Sequence, residues 1–281
     1  MNKIELFKES SGNWITNFDI LKILEQSGAH DCKILYMHTG LSFGTPNPAL
    51  KKSEMLLALY EIICALKVPT LIVPTYTFSF CNGLPFDIVH SKSKMGVLNE
   101  FIRNQPTAIR SIESLMSVAL IGEDQDLATG IGHISIGENS TFDKLHYRKD
   151  VKFLFLGTRL GACFTYMHYI EAFVKSHYRY NREFTGKIIT KDTEYEDTYT
   201  LFVRYKNVKP GNASFDYEDI LVNKGIAKKI TCGDSFITTV DEPRAFEVYH
   251  DMICKEPDFF IDKSSIHDYD KTFIVKDMIA L

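Results

Sequence analysis

The residues best placed by type and spacing to do chemistry lie in one stretch, "GTRLGACFTYMHYIEAF", Gly157 to Phe173. It follows the apolar run "VKFLFL" and carries a helix-like pattern in which Glu171 stands three residues after His168. On a helix that spacing puts both side chains on one face. A carboxylate there can orient an imidazole and support it as a general base. The plainer alternative is a core or surface histidine with a chance acidic neighbour. His-x-x-Glu, with His177 nine residues on, matches no recognised metal-ligand spacing, so no metal is expected.

Such a pair needs elements to position it. In the first half, helix-like and strand-like segments alternate. "NFDILKILEQSGA" predicts a helix capped by Asn17, and "CKILYMH" a buried strand. "NPALKKSEMLLALYEIICALK", "MGVLNEFIRN" and "NSTFDKLHYR" read as helices, and "VPTLIVPTYTF", "SLMSVALIG" and "VKFLFLG" as strands. Short apolar runs between amphipathic helices predict a three-layer α/β/α fold with a mainly parallel central sheet. After about residue 183, "EFTGKIITKDTEYEDTYTLFVRYKN" alternates like a hairpin, an antiparallel excursion in the C-terminal half. A last helix opens at Asp241 with Pro243 in its first turn. No linker or repeat divides the chain, which predicts a single domain over residues 1–281.

Composition narrows the function classes. With 281 residues, 45% hydrophobic and 24% charged, the chain has ordinary globular composition. A net charge of -4 without a polybasic block argues against nucleic-acid or anionic-membrane partners. No apolar stretch reaches the length of a membrane span, the N-terminus lacks a signal-like apolar region, and no CxxC pair occurs. Cys32, Cys64, Cys163 and Cys254 read as small buried hydrophobes in a reducing compartment, so a cytoplasmic location is expected.

Four loops follow proposed strands, where open α/β sheets bind ligands: "HTGLSFG", "PTYTFSFCNG", "IRSIES" and "GTRLGACFTYMH". None is a dinucleotide fingerprint, a P-loop or a nucleophile elbow. The order of segments resembles the aminoglycoside 3-N-acetyltransferase family, also called the antibiotic N-acetyltransferase family. The resemblance runs through "MHTGLSFG", "TLIVPTYTF", "FDIVHSKSKMGVLNEFIRNQPTAIRS", "SLMSVALIG", "GHISIGENSTFDKL", "FLFLGTRLGACFTYMHYIE" and "HYRY", over roughly residues 32–182. Three places depart from the usual pattern: Ser91-Lys92-Ser93 in place of Ser-Pro-Ser, Glu113-Ser114 in place of His-Pro, and His38-Thr39-Gly40-Leu41 in place of His-Ser-Ser-Leu.

The resemblance implies an acyl-CoA-dependent N-acyltransferase. Acetyl-CoA or another acyl-CoA is its co-substrate, and a small-molecule amine, an amino sugar, its acceptor. His168 is implied as the base, with Glu171 orienting it or binding the amine. His38, Thr39, Gly40, Leu41 and Ser42 are implied to line the pantetheine arm, with Thr75 and Thr77 near the thioester, where ordinary turn chemistry is the alternative. Met95 and Gly96 open a helix able to meet a carbonyl or phosphate, and Arg110 and Ser111 suit phosphate oxygens, against a surface salt bridge for Arg110. Asp87 and His177 are candidate acceptor contacts; Asp87 can equally close a turn. The Glu113-Ser114 departure inclines the expected acceptor towards a biosynthetic, nucleotide-linked amino sugar. An antibiotic aminoglycoside is the alternative, and a non-catalytic sugar- or nucleotide-binding protein is the alternative of another class.

Overall fold

The computed structural model describes residues 2–211 and 216–265. In chain order the elements are β1 (Glu5–Lys8), β2 (Trp14–Thr16), α1 (Asn17–Ser27), β3 (Ile34–Thr39), β4 (Thr45–Pro46), α2 (Lys52–Ala65) and β5 (Thr70–Pro74). There follow β6 (Phe86–Asp87), α3 (Val97–Arg103), β7 (Ile109–Arg110), β8 (Val118–Gly122), α4 (Asp126–Thr129), α5 (Thr141–His146) and β9 (Val151–Leu156). The chain continues with α6 (Leu160–Cys163), α7 (Tyr166–Phe173), β10 (Arg179–Ile189), β11 (Glu194–Arg204), α8 (Asp216–Asn223), β12 (Ala227–Cys232), β13 (Ser235–Asp241) and α9 (Glu242–Lys255).

The central sheet has seven strands in the order β12-β13-β9-β3-β5-β8-β7. Only β3 with β5 and β3 with β9 pair in parallel. The β5–β8, β7–β8, β9–β13 and β12–β13 pairs are antiparallel. The sheet is therefore mixed, not mainly parallel. An apolar run reports burial on both faces, whereas strand direction depends on the route of the connections, which the run does not encode.

Alternate residues of the central strands feed two apolar clusters. Tyr36, Ile72, Phe153 and Phe155 join one, with Phe142, Tyr166, Tyr169, Ile170, Phe246 and Tyr249 from α5, α7 and α9. Leu35, Met37, Leu71, Val73, Leu154 and Leu156 join the other, with Ile20, Leu24, Leu59, Ile62, Leu98 and Ile102 from α1, α2 and α3. The period-2 alternation of a strand makes this division. The expected hairpin is β10 with β11, paired from Arg179↔Arg204 to Ile189↔Glu194.

Two local expectations change. Thr16, not Asn17, caps α1: its Oγ1 accepts from Asp19 N–H at 3.3 Å, and the Asp19 carboxylate accepts from Thr16 N–H at 2.9 Å. Asn17 is buried and its Oδ1 accepts from Ile4 N–H. The cysteines also differ. Cys64 and Cys254 are exposed, Cys32 and Cys163 partly so, and the buried one is Cys232. Cys64 and Cys254 fall in the last turns of α2 and α9, where apolar neighbours in sequence do not imply an inward face. Asp241 caps α9 as expected, accepting from Arg244 N–H.

β3, β5 and β9 run in one direction, so their C-terminal ends share one edge of the sheet. There the loop after β3 touches the loop after β9 backbone to backbone. Gly157 has φ +68°, and a Cβ on it would lie 2.9 Å from both Leu41 N and Ser42 N. Gly157→Ala should therefore destabilise the protein by about 1–3 kcal/mol, read as a lower midpoint of thermal unfolding. An unchanged midpoint would mean that the two loops are not in tight contact.

Candidate active site

α7 places His168 and Glu171 on one face, as their spacing requires. His168 Nδ1 lies 2.6 Å from Glu171 Oε2. Glu171 is buried, and its other oxygen, Oε1, accepts from Tyr178 O–H at 2.8 Å. Arg179, the first residue of β10, brings Nε to 2.8 Å from Glu171 Oε2, although that N–H is not aligned as a hydrogen bond. Its Nη1 donates to Phe202 O across the hairpin at 3.1 Å, and its Nη2 lies 2.7 Å from His168 Nδ1. A buried carboxylate and guanidinium thus hold one imidazole between a helix and a strand.

One ring nitrogen cannot both donate to a carboxylate and accept from a guanidinium. The short contact with an anionic acceptor fits Nδ1–H donating to Glu171, which leaves Nε2 carrying the lone pair. Nε2 makes no hydrogen bond to another described residue, and the side chain keeps 14% of its surface open. Burial, then the positive charge of Arg179, lowers the His168 pKa below its ordinary value, against the opposing pull of Glu171. Burial alone would raise Glu171, but Arg179 first, and then His168, bring it down to about 2. The result is a carboxylate beside a neutral imidazole at neutral pH.

The loops at the shared sheet edge are joined to one another. Gly40 and Leu41 donate their amides to Leu156 O, and Ser42 donates to Gly157 O, so these N–H groups are engaged within the fold. His38 is buried, stacked on Phe155 with ring centroids 5.2 Å apart, and its Nε2 has no partner; burial brings its pKa down to about 3. Thr39 Oγ1 donates to Asn99 Oδ1, whose Nδ2 donates to Pro74 O. Gly96, just before α3, sits against Thr39, whose Oγ1 would be 2.9 Å from a Cβ added there. Met95 N–H is taken by Ser93 Oγ. Thr75 Oγ1 is 3.1 Å from Ser117 Oγ, and Thr77 Oγ1 is 2.7 Å from Ser79 Oγ.

Arg110 does not present a free fork. Its Nη1 donates to Ile88 O and Ser91 O, its Nη2 to Thr75 O, and its guanidinium lies 4.8 Å from the Phe86 ring centroid. These contacts tie the segment after β6 to the end of β5. Ser111 Oγ accepts from Val118 N–H. Asp87 closes a turn, its Oδ1 accepting from Val89 and His90 N–H at 2.8 Å while its Oδ2 meets His90 Nδ1 at 2.9 Å. His177 is half-exposed and pairs with Asp258. Glu113 and Ser114, the departure that had inclined the acceptor choice, are buried; Glu113 accepts from Leu115 and Met116 N–H and from Ser135 O–H. Among the described residues no group of three His, Cys, Asp or Glu is placed to hold a metal ion. No described helix is long and apolar enough to cross a membrane.

Arg179 and Tyr178 escaped the reading by spacing. They lie in "HYRY", a segment that contributed to the resemblance, but their contact with Glu171 is made through the turn from α7 into β10.

The chain's class, CoA-dependent N-acetyltransferase, is shown by a family match. The sequence profile of the aminoglycoside 3-N-acetyltransferase family matches residues 59–253, and the chain belongs to that family; an acyl-CoA is its co-substrate. Its fold is similar to that of aminoglycoside acetyltransferase AAC(3)-Xa, at 18% identity and a TM-score of 0.72, covering 88% of this chain and 94% of that one. AAC-IIIb in binary complex with CoASH is similar at 16% identity and a TM-score of 0.71, covering 86% and 97%. AAC-VIa bound to sisomicin is similar at 15% identity and 0.70, covering 84% and 97%. No curated protein sequence matches the chain.

The buried pair should behave as a unit. Glu171→Gln or Arg179→Met alone leaves an uncompensated buried charge and should cost about 3–5 kcal/mol; the double replacement should cost clearly less than the sum. Because the folded carboxyl titrates near 2, below its ordinary 4.5, its contribution is present above that ordinary value and is lost as pH falls through the folded one. Denaturant titrations at neutral and acid pH measure both; additive single effects would show that the charges do not interact.

Proposed function

We propose that the chain, as one acyl-CoA-dependent domain, transfers an acetyl group from acetyl-CoA to a primary amine of an aminoglycoside in the cytoplasm. The observation that carries the mechanism is the His168 ring, fixed through Nδ1 by a buried carboxylate with Nε2 left to accept a proton. The neutral amine attacks the thioester carbonyl, and the nitrogen becomes strongly acidic as the N–C bond forms. His168 Nε2 takes that proton, the C–S bond breaks, and the imidazolium returns the proton to the departing thiolate. A base of lowered pKa suits this sequence, since it is unprotonated when the amine arrives and gives its proton up readily. Glu171 has both oxygens engaged by His168, Arg179 and Tyr178, which favours an orienting role over amine capture.

The acceptor reading leans on family membership and on AAC-VIa, a structural neighbour that binds sisomicin. The nucleotide-linked amino sugar suggested by Glu113-Ser114 loses its footing, because a departure buried under backbone hydrogen bonds does not select an acceptor by contact.

Thiol release from acetyl-CoA with a panel of aminoglycosides and nucleotide-linked amino sugars tests the reading. Aminoglycosides should give the higher kcat/KM; turnover of nucleotide-linked sugars alone would restore the biosynthetic acceptor, and no thiol release with any amine would leave a binding protein. His168→Ala should lower kcat by roughly 10²–10⁴-fold. The part of the kcat/KM pH profile that is present in the wild type and absent from the residual activity of His168→Ala should lie below the ordinary imidazole value of 6.5, because the protonated ring is disfavoured by burial. Deprotonation of the acceptor amine adds a limb at higher pH in both. A His168-dependent limb above 6.5 would contradict the assignment.

A further inference from the structure

The closing stretch of α9, "FEVYHDMICK", puts His250 and Cys254 four residues apart, the spacing at which helix side chains are neighbours. Cys254 Sγ lies 3.7 Å from His250 Nε2 and 4.0 Å from its Nδ1. Cys254 is exposed, and the His250 side chain keeps 34% of its surface open. The imidazole is nevertheless held in place. It stacks on Phe246, one turn earlier on α9, with ring centroids 5.5 Å apart and an interplanar angle of 16°. It also meets Phe173, the last residue of α7, edge to face at 5.8 Å. The acyl transfer uses neither residue.

An imidazole and a thiolate on one helix face are both metal ligands. Around a tetrahedral Zn²⁺, with Zn–S about 2.3 Å and Zn–N about 2.0–2.1 Å, neighbouring donor atoms stand about 3.5 Å apart. The 3.7 Å between Cys254 Sγ and His250 Nε2 is close to that edge, so little movement of either side chain is needed. The surrounding charge also favours a cation. Cys254 is in the last turn of α9, at the negative end of the helix dipole. Asp251 Oδ1 is 4.0 Å from His250 Nδ1, where a carboxylate favours the tautomer that leaves Nε2 free to coordinate. Ligand type selects the ion: thiolate with imidazole suits zinc, whereas magnesium and calcium take oxygen ligands. Two side chains leave the other tetrahedral positions to water, in keeping with the lack of any three-residue ligand group among the described residues.

We propose that His250 Nε2 and Cys254 Sγ form a surface site for Zn²⁺, with water completing the coordination. The thiol proton passes to solvent as the zinc–sulfur bond forms. The site is independent of the acyl-CoA donor, and the ion would clip together the last turns of α9. The test titrates reduced, metal-free protein with Co²⁺, whose absorption reports its ligands, and with Zn²⁺ in competition with a chromophoric chelator. The wild type should show a thiolate-to-cobalt charge-transfer band with tetrahedral visible bands, saturating at a single ion per chain. Cys254→Ser should abolish the charge-transfer band, and both Cys254→Ser and His250→Ala should weaken Zn²⁺ binding by about tenfold or more. Cys254 is exposed, so Cys254→Ser leaves the packing intact and carries the test should His250→Ala loosen the aromatic stack. Cys64, the other exposed cysteine, has Tyr60 and not a histidine four residues before it, and Cys64→Ser should change nothing. Zn²⁺ should also raise the midpoint of thermal unfolding of the wild type more than that of either site variant, because it binds the folded pair. A wild type without the charge-transfer band would overturn the proposal. So would equal Zn²⁺ affinity in wild type and Cys254→Ser, a loss of binding in Cys64→Ser, or full affinity in a folded His250→Ala.

Discussion

The buried pairing of Glu171 with Arg179 is the interaction on which the rest of the site depends. Neither charge is stable alone in that interior, and each is held by groups from a different element. Tyr178 and His168 meet the carboxylate, and Phe202 O meets the guanidinium from the opposite strand of the hairpin. The pair therefore fixes α7 against the base of the β10–β11 hairpin. The carboxylate also sets the tautomer of His168, while burial first and Arg179 second lower the proton affinity of the ring against the pull of Glu171.

The loops at the shared sheet edge are built differently, from backbone proximity. Three parallel strands end at one edge, and the loops that leave them are close enough that glycine is required at Gly40 and Gly157. Asn99 bridges Thr39 to Pro74 O, and Arg110 secures the segment after β6 by carbonyl contacts. Charged side chains in this region act mainly as internal fasteners. Loops otherwise free to move are thereby made part of the scaffold.

How much of this was legible in the sequence follows from the range of each interaction. The His168–Glu171 pairing was legible because a helix converts a three-residue spacing into contact. The hairpin and the Asp241 cap were legible for the same reason: period and local hydrogen bonding determine them. Strand direction was not, since β8 carries the same kind of apolar run as β5 and pairs against it in the opposite sense. Arg179 was missed because its partner lies across a turn. The carbonyl contacts of Arg110 were not legible, because a guanidinium fork suits main-chain carbonyls as well as phosphate, and only the fold shows which carbonyls are near. The Glu113-Ser114 departure was visible, but its burial was not.

The most direct test is the protonation state of one ring. Nitrogen-15 NMR of histidine-labelled protein, with His168→Ala used to assign the resonance, reports which nitrogen carries the proton and where the ring titrates. The expected result is a proton on Nδ1 at neutral pH, a bare Nε2, and a titration below the ordinary imidazole value of 6.5. A proton on Nε2, or a titration above that value, would contradict a His168 oriented by Glu171 to act as the base.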